Sequence, residues 1–368
     1  MHFTILTRYS RLGASSRLRT MQYSGCFERH GIECTYIPLF SDNYLRQLYA
    51  GGSTAGASIA AYFSRIMSLV NMNKTDLLWI EKEALPWVPW VFERGLLPRN
   101  VPIAVDFDDA VFHRYDQHQS YTVKRLLGSK LDKLMASASL ITVGNNYLRD
   151  RAMKVGAKRV EIVPTVVDLA NYTQKLEDIS VSDPSIGWIG TPSTWKEYMV
   201  PMMETLVQQA YVNNSKILVV GAGQIEEKDF LVEHRPWAEE IEVDQIHEMA
   251  IGIMPLSDTP WSRGKCGYKL IQYMACGLPV IASPVGVNSS IVEHGVNGFL
   301  ASSNTEWTDA LQTLLNDPKL RARMGKAGRQ KIECKYSLEV WAPYVTDLLC
   351  GIVAEHKKVG NTALVGNQ

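Results

Sequence analysis

The 368-residue chain has no excess of either charge: Lys and Arg together number 38, and so do Asp and Glu. No global field therefore draws it to nucleic acid or to an anionic membrane, and any anion must be bound by a local cluster. Its six cysteines, Cys26, Cys34, Cys266, Cys276, Cys334 and Cys350, form no CxxC pair and no zinc-ligand spacing. With that pattern free thiols in a reducing cytosol are the expectation, with no metal site. The chain also lacks long apolar runs. The stretch Met1–Ser10 is too short for a signal-peptide core, and nothing approaches the roughly 20 apolar residues of a membrane helix. Repeats and low-complexity tracts are absent. A cytoplasmic protein is the reading that follows.

What is present is a core: 46% of residues are hydrophobic, enough for two domains at this length. Short β-rich apolar runs alternate with helical periodicity. Strands are expected at Phe3–Thr7, Ile32–Ile37, Leu77–Glu81, Ile103–Asp106, Leu140–Val143 and Val160–Val163. Helices are expected between them, at Ala14–Arg29, Ser58–Val70, Tyr121–Ala138 and Asn146–Val155. This rhythm predicts βαβ units and a parallel sheet. A polar stretch, Gln174–Ser185, reads as a linker. The alternation then restarts with strands at Ile186–Ile189, Lys216–Val220, Ile251–Met254, Pro279–Ala282 and Gly298–Leu300. The division is residues 1–170, joined by a last helix near 338–356, and residues 171–337.

The segment Asp258–Gly286 carries the most chemistry. With a helix over Lys265–Cys276, the residues Ile271, Met274, Ala275 and Leu278 form a buried stripe, and Lys265, Lys269, Gln272 and Cys276 share the other face. Arg263 and Lys265 then sit at the positive end of a helix dipole, where cations are disfavoured by about 0.3–1 kcal/mol each. A bound phosphate reverses that sign, and a solvated basic turn also accounts for it. The turn after Ile186–Ile189 offers Gly190, Thr191, Ser193 and Thr194, followed by Lys196. These residues suit a phosphate, and equally a plain capped βα turn. Gly221 and Gly223 make a second tight turn without the third glycine of a dinucleotide fingerprint. The loop Arg8–Arg19 offers Gly13, Ser15 and Arg17 to a phosphate or sugar, or is simply solvated. Asp106, Asp108 and Asp109 end a buried strand, which is costly unless they are paired, solvated or functional. Arg17, Arg19, Arg46 and Arg65 either form a basic face for peripheral membrane contact or are dispersed in solvent.

Taken in order, GWIGTPST, IGIMPL, WSRGKCGYKLIQYMACGLPVIASPVGVN and HGVNGFLA resemble the GT-B glycosyltransferases of family 4 and its relatives, retaining enzymes of bacterial glycan and lipopolysaccharide assembly. VDFDDA, VGNNYL and IVPTVVD resemble them more weakly. The resemblance implies two facing Rossmann-like domains, a C-terminal helix crossing back to the first, and a nucleotide-diphosphate sugar as co-substrate with no further cofactor. It places the donor on the second domain, by Gly190, Thr191, Lys196, Gly221, Gly223, Gln272, Gly286, Val287 and Asn288. It places a glycan, lipid-linked or small-molecule acceptor on the first, by Gly13, Ser15, Arg17, Asp106, Asp108 and Asp109. Members carry two glutamates eight positions apart; here Gly264 and Gln272 stand there, and Thr191 replaces the usual arginine of a basic pair. Lys265, Lys269 and Arg263 look like a substitute diphosphate grip, as in a branch whose helix reads K-x-x-x-Y-M-A. Two other readings remain to be weighed: a nicotinamide oxidoreductase, which needs a fingerprint this chain lacks, and a non-catalytic sugar-nucleotide-binding scaffold, which the missing glutamates favour.

Overall fold

The computed structural model describes residues 1–72, 74–174, 184–224 and 229–365. The chain divides into two compact units, 1–165 with 341–368, and 166–340. Most of the stretch expected as a linker, residues 175–183, lies outside the described residues.

The first unit holds six strands: β1 (His2–Tyr9), β2 (Glu33–Phe40), β3 (Leu77–Glu81), β4 (Ile103–Phe107), β5 (Leu140–Val143) and β6 (Val160–Ile162). Their order is β2-β1-β3-β4-β5-β6, every pair parallel. The order reverses between β1 and β3, so the crevice at the carboxyl ends of those strands is where such a sheet takes ligands. β3, β4 and β5 are buried throughout, as strands covered on both faces must be. Trp79 anchors the core, its ring 6.2 Å from those of Tyr23 and Phe27. The 28-residue helix Leu338–Val365 belongs to this unit from Trp341 onward. Tyr344 Oη donates to Glu161 at 3.1 Å and Lys357 pairs with Asp76 at 2.7 Å.

The second unit holds β7 (Ser185–Ile189), β8 (Lys216–Val220), β9 (Val232–Arg235), β10 (Ile251–Met254), β11 (Val280–Ala282) and β12 (Gly298–Leu300). Their order is β12-β11-β10-β7-β8-β9, again all parallel, with the reversal between β7 and β10. Side chains alternate along each strand, and the two cores follow that alternation. Leu218, Val220, Met254, Val280 and Ala282 pack with Ile271 and Met274 on one face. Ile217, Val219, Ile253 and Ile281 pack with Trp195 and Leu311 on the other. The chain enters and leaves this unit side by side, where Val167 bridges Ser337.

Several expected helices are subdivided. Ala14–Arg29 breaks into Ala14–Arg19 and Ser24–Arg29 around a 3-10 turn. Tyr121–Ala138 breaks at Gly128. The segment after β7 starts at Pro192, runs through a π turn at Trp195–Met199 and a 3-10 turn at Val200–Met202, and becomes α-helical only at Met203. Pro201 lies in that irregular stretch, and proline supplies no N–H to an α-helical ladder. β9 escaped the sequence reading because it is a half-exposed edge strand without an apolar run.

Candidate functional site

The reversal point of the second sheet gathers four loops. β7 is followed by Gly190, whose N–H donates to Val220 O at 2.9 Å. A β-carbon there would lie 2.4 Å from the Trp188 ring, so only glycine fits. Thr191 caps the short helix Pro192–Thr194, its N–H donating to Thr194 Oγ1 at 3.0 Å. The hydroxyls of Thr191 and Ser193 are 3.1 Å apart. Gly221 and Gly223 follow β8 with φ of 80° and 79° and pack on this turn; a β-carbon on Gly221 would meet Gly190 O at 2.4 Å. Three hydroxyls and a glycine-lined backbone thus surround one mouth, a surface that a phosphate can approach closely.

From β10 the chain runs into the short helix Pro260–Arg263, capped by Thr259. Here the structure corrects the expected helix over Lys265–Cys276. Gly267 adopts φ 67°, and the helix starts at Tyr268 and ends at Ala275. Lys265 precedes it; Gln272 and Cys276 are buried rather than facing outward with Lys269. Both lysines nevertheless come to the β7 side. Lys269 Nζ lies 5.2 Å from the centroid of the Trp188 ring, and Lys265 Nζ lies 5.6 Å from that of Tyr198. Tyr198 Oη is 3.0 Å from Ser262 Oγ, which ties the β7 and β10 loops together. A cation over an aromatic face gains about 0.5–1 kcal/mol at exposed sites, more where desolvated.

The other donor-side residues divide. Gly286, at φ 57°, packs where a β-carbon would meet Arg263 O at 2.8 Å. Val287 and Asn288 lie against Gly267. Arg263 is closed on Asp258 by two bonds of 2.7 and 2.9 Å, which hold the Asp258 carboxyl below its ordinary pKa. Its fork is therefore engaged on a carboxylate. Lys196 is exposed on the π turn. Gln272 is 3% exposed and donates to Glu242 at 2.6 Å and Tyr172 Oη at 2.9 Å. Glu242 also accepts from Trp237. Burial, with Tyr268 and Glu242 beside it, pushes the Tyr172 hydroxyl well above its ordinary pKa. Gln272 is thus part of a buried framework rather than of the mouth.

The carboxyl edge of the first sheet has a different character. Asp106 is 1% exposed and chelated by Arg19, Nε to Oδ2 at 2.9 Å and Nη2 to Oδ1 at 2.7 Å; Thr142 Oγ1 donates to Oδ1 at 2.6 Å. It is therefore separated from Asp108 and Asp109, which lie with Lys82: Nζ is 2.7 Å from Asp108 and 4.0 Å from Asp109. Ser15 Oγ accepts from the same ammonium at 3.0 Å. Burial opposes the Lys82 charge, yet Asp108, Glu81 and Asp109 prevail and raise its pKa. Gly13 starts the helix Ala14–Arg19. A β-carbon there would lie 2.4 Å from Tyr9 Cβ. Arg17 is buried and donates to Arg11 O at 2.9 Å.

The basic face suggested by Arg17, Arg19, Arg46 and Arg65 does not form: only Arg46 is exposed. Arg65 is 2% exposed and donates to the carbonyls of Thr7, Ile37 and Ala84; burial lowers its pKa to about 10. The unit instead exposes apolar residues, Ile59, Phe63, Met67 and Val70, along the helix Ala55–Val70. Lys82 and Trp87 escaped the sequence reading. Both hold positive φ, 63° and 62°, which no residue type announces outside glycine and asparagine. Among the described residues, no three His, Cys, Asp or Glu side chains are grouped to hold a metal ion, and no helix is long and apolar enough to cross a membrane.

Two parallel six-stranded sheets, each with its own reversal point, define the class: an α/β chain of GT-B architecture, built of Rossmann-like units. Sucrose-phosphate synthase from Thermosynechococcus elongatus superposes with a TM-score of 0.70 over 96% of this chain and 100% of its own, at 15% identity. Anabaena HepE in complex with UDP-glucose superposes with a TM-score of 0.68 over 95% and 100%, at 16% identity. At such identity these likenesses establish fold alone. Residues 242–331, which include both lysines, match the family described as Glycosyl transferases group 1. The human alpha-1,3/1,6-mannosyltransferase ALG2 is 37% identical over 83 residues, 21% of this chain and 20% of its own. The D-inositol 3-phosphate glycosyltransferase of Pseudarthrobacter chlorophenolicus is 38% identical over 63 residues, 17% and 15% respectively. The matched stretch thus spans a fifth or less of these curated relatives.

Proposed function

We propose that this chain is a glycosyltransferase that moves a sugar from a nucleotide-diphosphate sugar to a carbohydrate or lipid-linked acceptor, with retention of anomeric configuration. The observation that carries the reading is the placement of Lys269 over Trp188 of β7 and of Lys265 over Tyr198 just beyond the β7 turn, both lysines lying inside the segment that matches glycosyltransferases. The complexes of HepE with UDP and UDP-glucose support a donor of this class. When the bond between the anomeric carbon and the phosphate oxygen breaks, its electron pair stays on the leaving diphosphate. Cations aimed at that charge lower the barrier. Lys269 and Lys265 are assigned this role, with the hydroxyls of Thr191 and Ser193 and the N–H groups that open the helix at Tyr268. Charge-assisted bonds supply about 1.5–3 kcal/mol each. Enzymatic barrier reductions are about 8–23 kcal/mol. Positioning of donor and acceptor must supply much of the difference, for which about 7–11 kcal/mol is attainable.

Gly264 bears no side chain and Gln272 is engaged with Glu242, so neither supplies a nucleophile for double displacement. That same feature favours a second reading, a sugar-nucleotide-binding protein without turnover. A thermal-shift screen of UDP, GDP and their sugar conjugates tests both. Ligand at 100 times its Kd stabilises the native state by about 2.7 kcal/mol. A shift that is lost in Lys265→Ala and accompanies transfer supports the transferase; a shift without transfer to any acceptor supports the second reading; no shift with any nucleotide sinks both. Retention is read from the anomeric coupling of the product. We propose also that the first unit rests on a lipid surface through Ile59, Phe63, Met67 and Val70. Failure to float with anionic vesicles would exclude that.

A further inference from the structure

Trp87 stands in the segment that leaves β3, at the carboxyl edge of the first sheet. Its φ of 62° lies where a bulky residue is an outlier. Packing does not account for that strain, because 47% of the residue is exposed. The conformation is imposed from beneath. The Trp87 N–H donates to Tyr115 Oη at 3.0 Å, and that hydroxyl donates to both Glu83 oxygens at 2.9 Å. Glu83 is held by Lys130 Nζ at 2.7 Å, which also pairs with Glu93 at 2.8 Å. Glu83, Glu93, Tyr115 and Lys130 are all 5% exposed or less. From the helix Ala55–Val70, Tyr62 Oη donates to Pro86 O at 2.8 Å and Arg65 to Ala84 O at 3.2 Å, fixing the same segment. A buried network of charges thus ends in one exposed indole.

Its neighbours meet that ring nearly at right angles. Tyr115 lies at 85° with centroids 5.2 Å apart, and His118 at 83° and 5.8 Å. Neither stacks flat on it. Such a rigid aromatic surface, placed where an open α/β sheet takes its ligands, is an instrument for binding something planar and part apolar. We propose that Trp87 is a stacking platform for a sugar ring, the acceptor's if the chain is the transferase argued above. A pyranose offers one face of C–H groups to the indole, and its rim of hydroxyls remains for polar partners. A lipid surface is the weaker match. Acyl chains accept a side chain in many orientations, so nothing is gained by holding an indole in a strained one.

The test uses the full chain labelled with 5-fluorotryptophan and observed by fluorine NMR. Trp87 is assigned among the nine tryptophans by the signal that disappears in Trp87→Gly. Glycine takes positive φ without penalty, so this variant should melt no lower than wild type. Trp87→Phe provides the same assignment if the glycine variant fails to fold. The probes are the methyl glycosides of glucose, mannose, galactose and N-acetylglucosamine and, separately, vesicles of phosphatidylethanolamine and phosphatidylglycerol. The expected result is a saturable shift of the Trp87 signal with at least one glycoside while the other signals stay in place. A response to vesicles alone, or to nothing, overturns the proposal. No transfer is read, so either failure leaves the transferase reading standing. Conversely, a glycoside response in a protein that binds no nucleoside diphosphate would sink the transferase and keep the platform.

Discussion

The carboxyl edges of the two sheets are built on the same strand logic and filled in opposite ways. In the first unit the edge is crowded with buried charge that is already satisfied: Arg19 with Asp106, Lys130 with Glu83 and Glu93, Lys82 with Asp108. In the second it is lined by glycine, hydroxyls and two lysines lying over aromatic rings, and the ion pair of Arg263 with Asp258 is solvent-exposed. Charge that is paired in the folded protein holds shape. A lysine over an aromatic ring is held in place without spending its charge on that ring. On the function proposed above, the first edge would serve as a scaffold for a neutral ligand and the second as a receptor for a charged one.

The strongest way to break this comparison is Asp106→Ala. It leaves the buried Arg19 without its carboxylate, and should lower unfolding free energy by about 3–5 kcal/mol in urea melts. A loss below about 1 kcal/mol would mean that the first edge is no scaffold. Lys269→Ala comes next: turnover should fall by about 10²–10³, the cost of losing one electrostatic stabiliser. Its melting temperature should stay close to wild type, and normal activity in the folded variant would remove Lys269 from the mechanism.

Lys82→Met sharpens the contrast through pH. Leaving Asp108 and Glu81 without their cation should destabilise by about 1–3 kcal/mol near neutrality. Burial opposes the Asp108 charge, but Lys82 and Arg19 hold its carboxyl below the ordinary 3.8. Stability from a lowered pKa is present above 3.8 and is lost as pH falls through the folded value. Lys82 is raised above 10.5, so its own share is complete below 10.5 and is lost only as pH rises past the folded value. The penalty of Lys82→Met should therefore be flat into mild alkali and shrink on acidification, first as Glu81, which burial raises above the ordinary 4.5, takes up a proton and then as Asp108 does. A penalty that instead grows in acid would refute the pairing. The smallest effect is expected for Arg263→Ala, because its partner is an exposed aspartate. Unchanged melting and turnover within a few-fold of wild type should result, and a collapse of turnover would restore Arg263 to the diphosphate grip.

Much of this fold was readable in advance. β3, β5, β8, β10 and β12 fall where the apolar runs placed them, and for β3, β5 and β10 the reason is that a strand buried on both faces has to be largely apolar. The site was less legible, and the reasons are local. Lys265 and Lys269 have helical spacing, but Gly267 between them takes a left-handed turn, and periodicity does not register a turn of that kind. Asp106, Asp108 and Asp109 look like one cluster in a row of letters. In space Asp106 belongs to Arg19, 87 positions away in sequence, whereas the other two turn to Lys82. Arg17, Arg19 and Arg65 suggest a basic surface until Arg17 is seen closed on the nearby Arg11 carbonyl and the other two on groups from distant segments. Strain at Lys82 and Trp87 leaves no mark at all, since neither residue type favours positive φ.

The bridge between Val167 and Ser337 bears on how such a chain can be recombined. Both joints of the second unit lie together, so a gene exchange with crossovers near residues 166 and 340 would transplant that unit whole. A single crossover anywhere between them would sever the last helix of the first unit from its own sheet. Changes to the second unit should therefore enter this architecture as cassettes with two cut points, and well-folded hybrids with one should be scarce in any shuffled library.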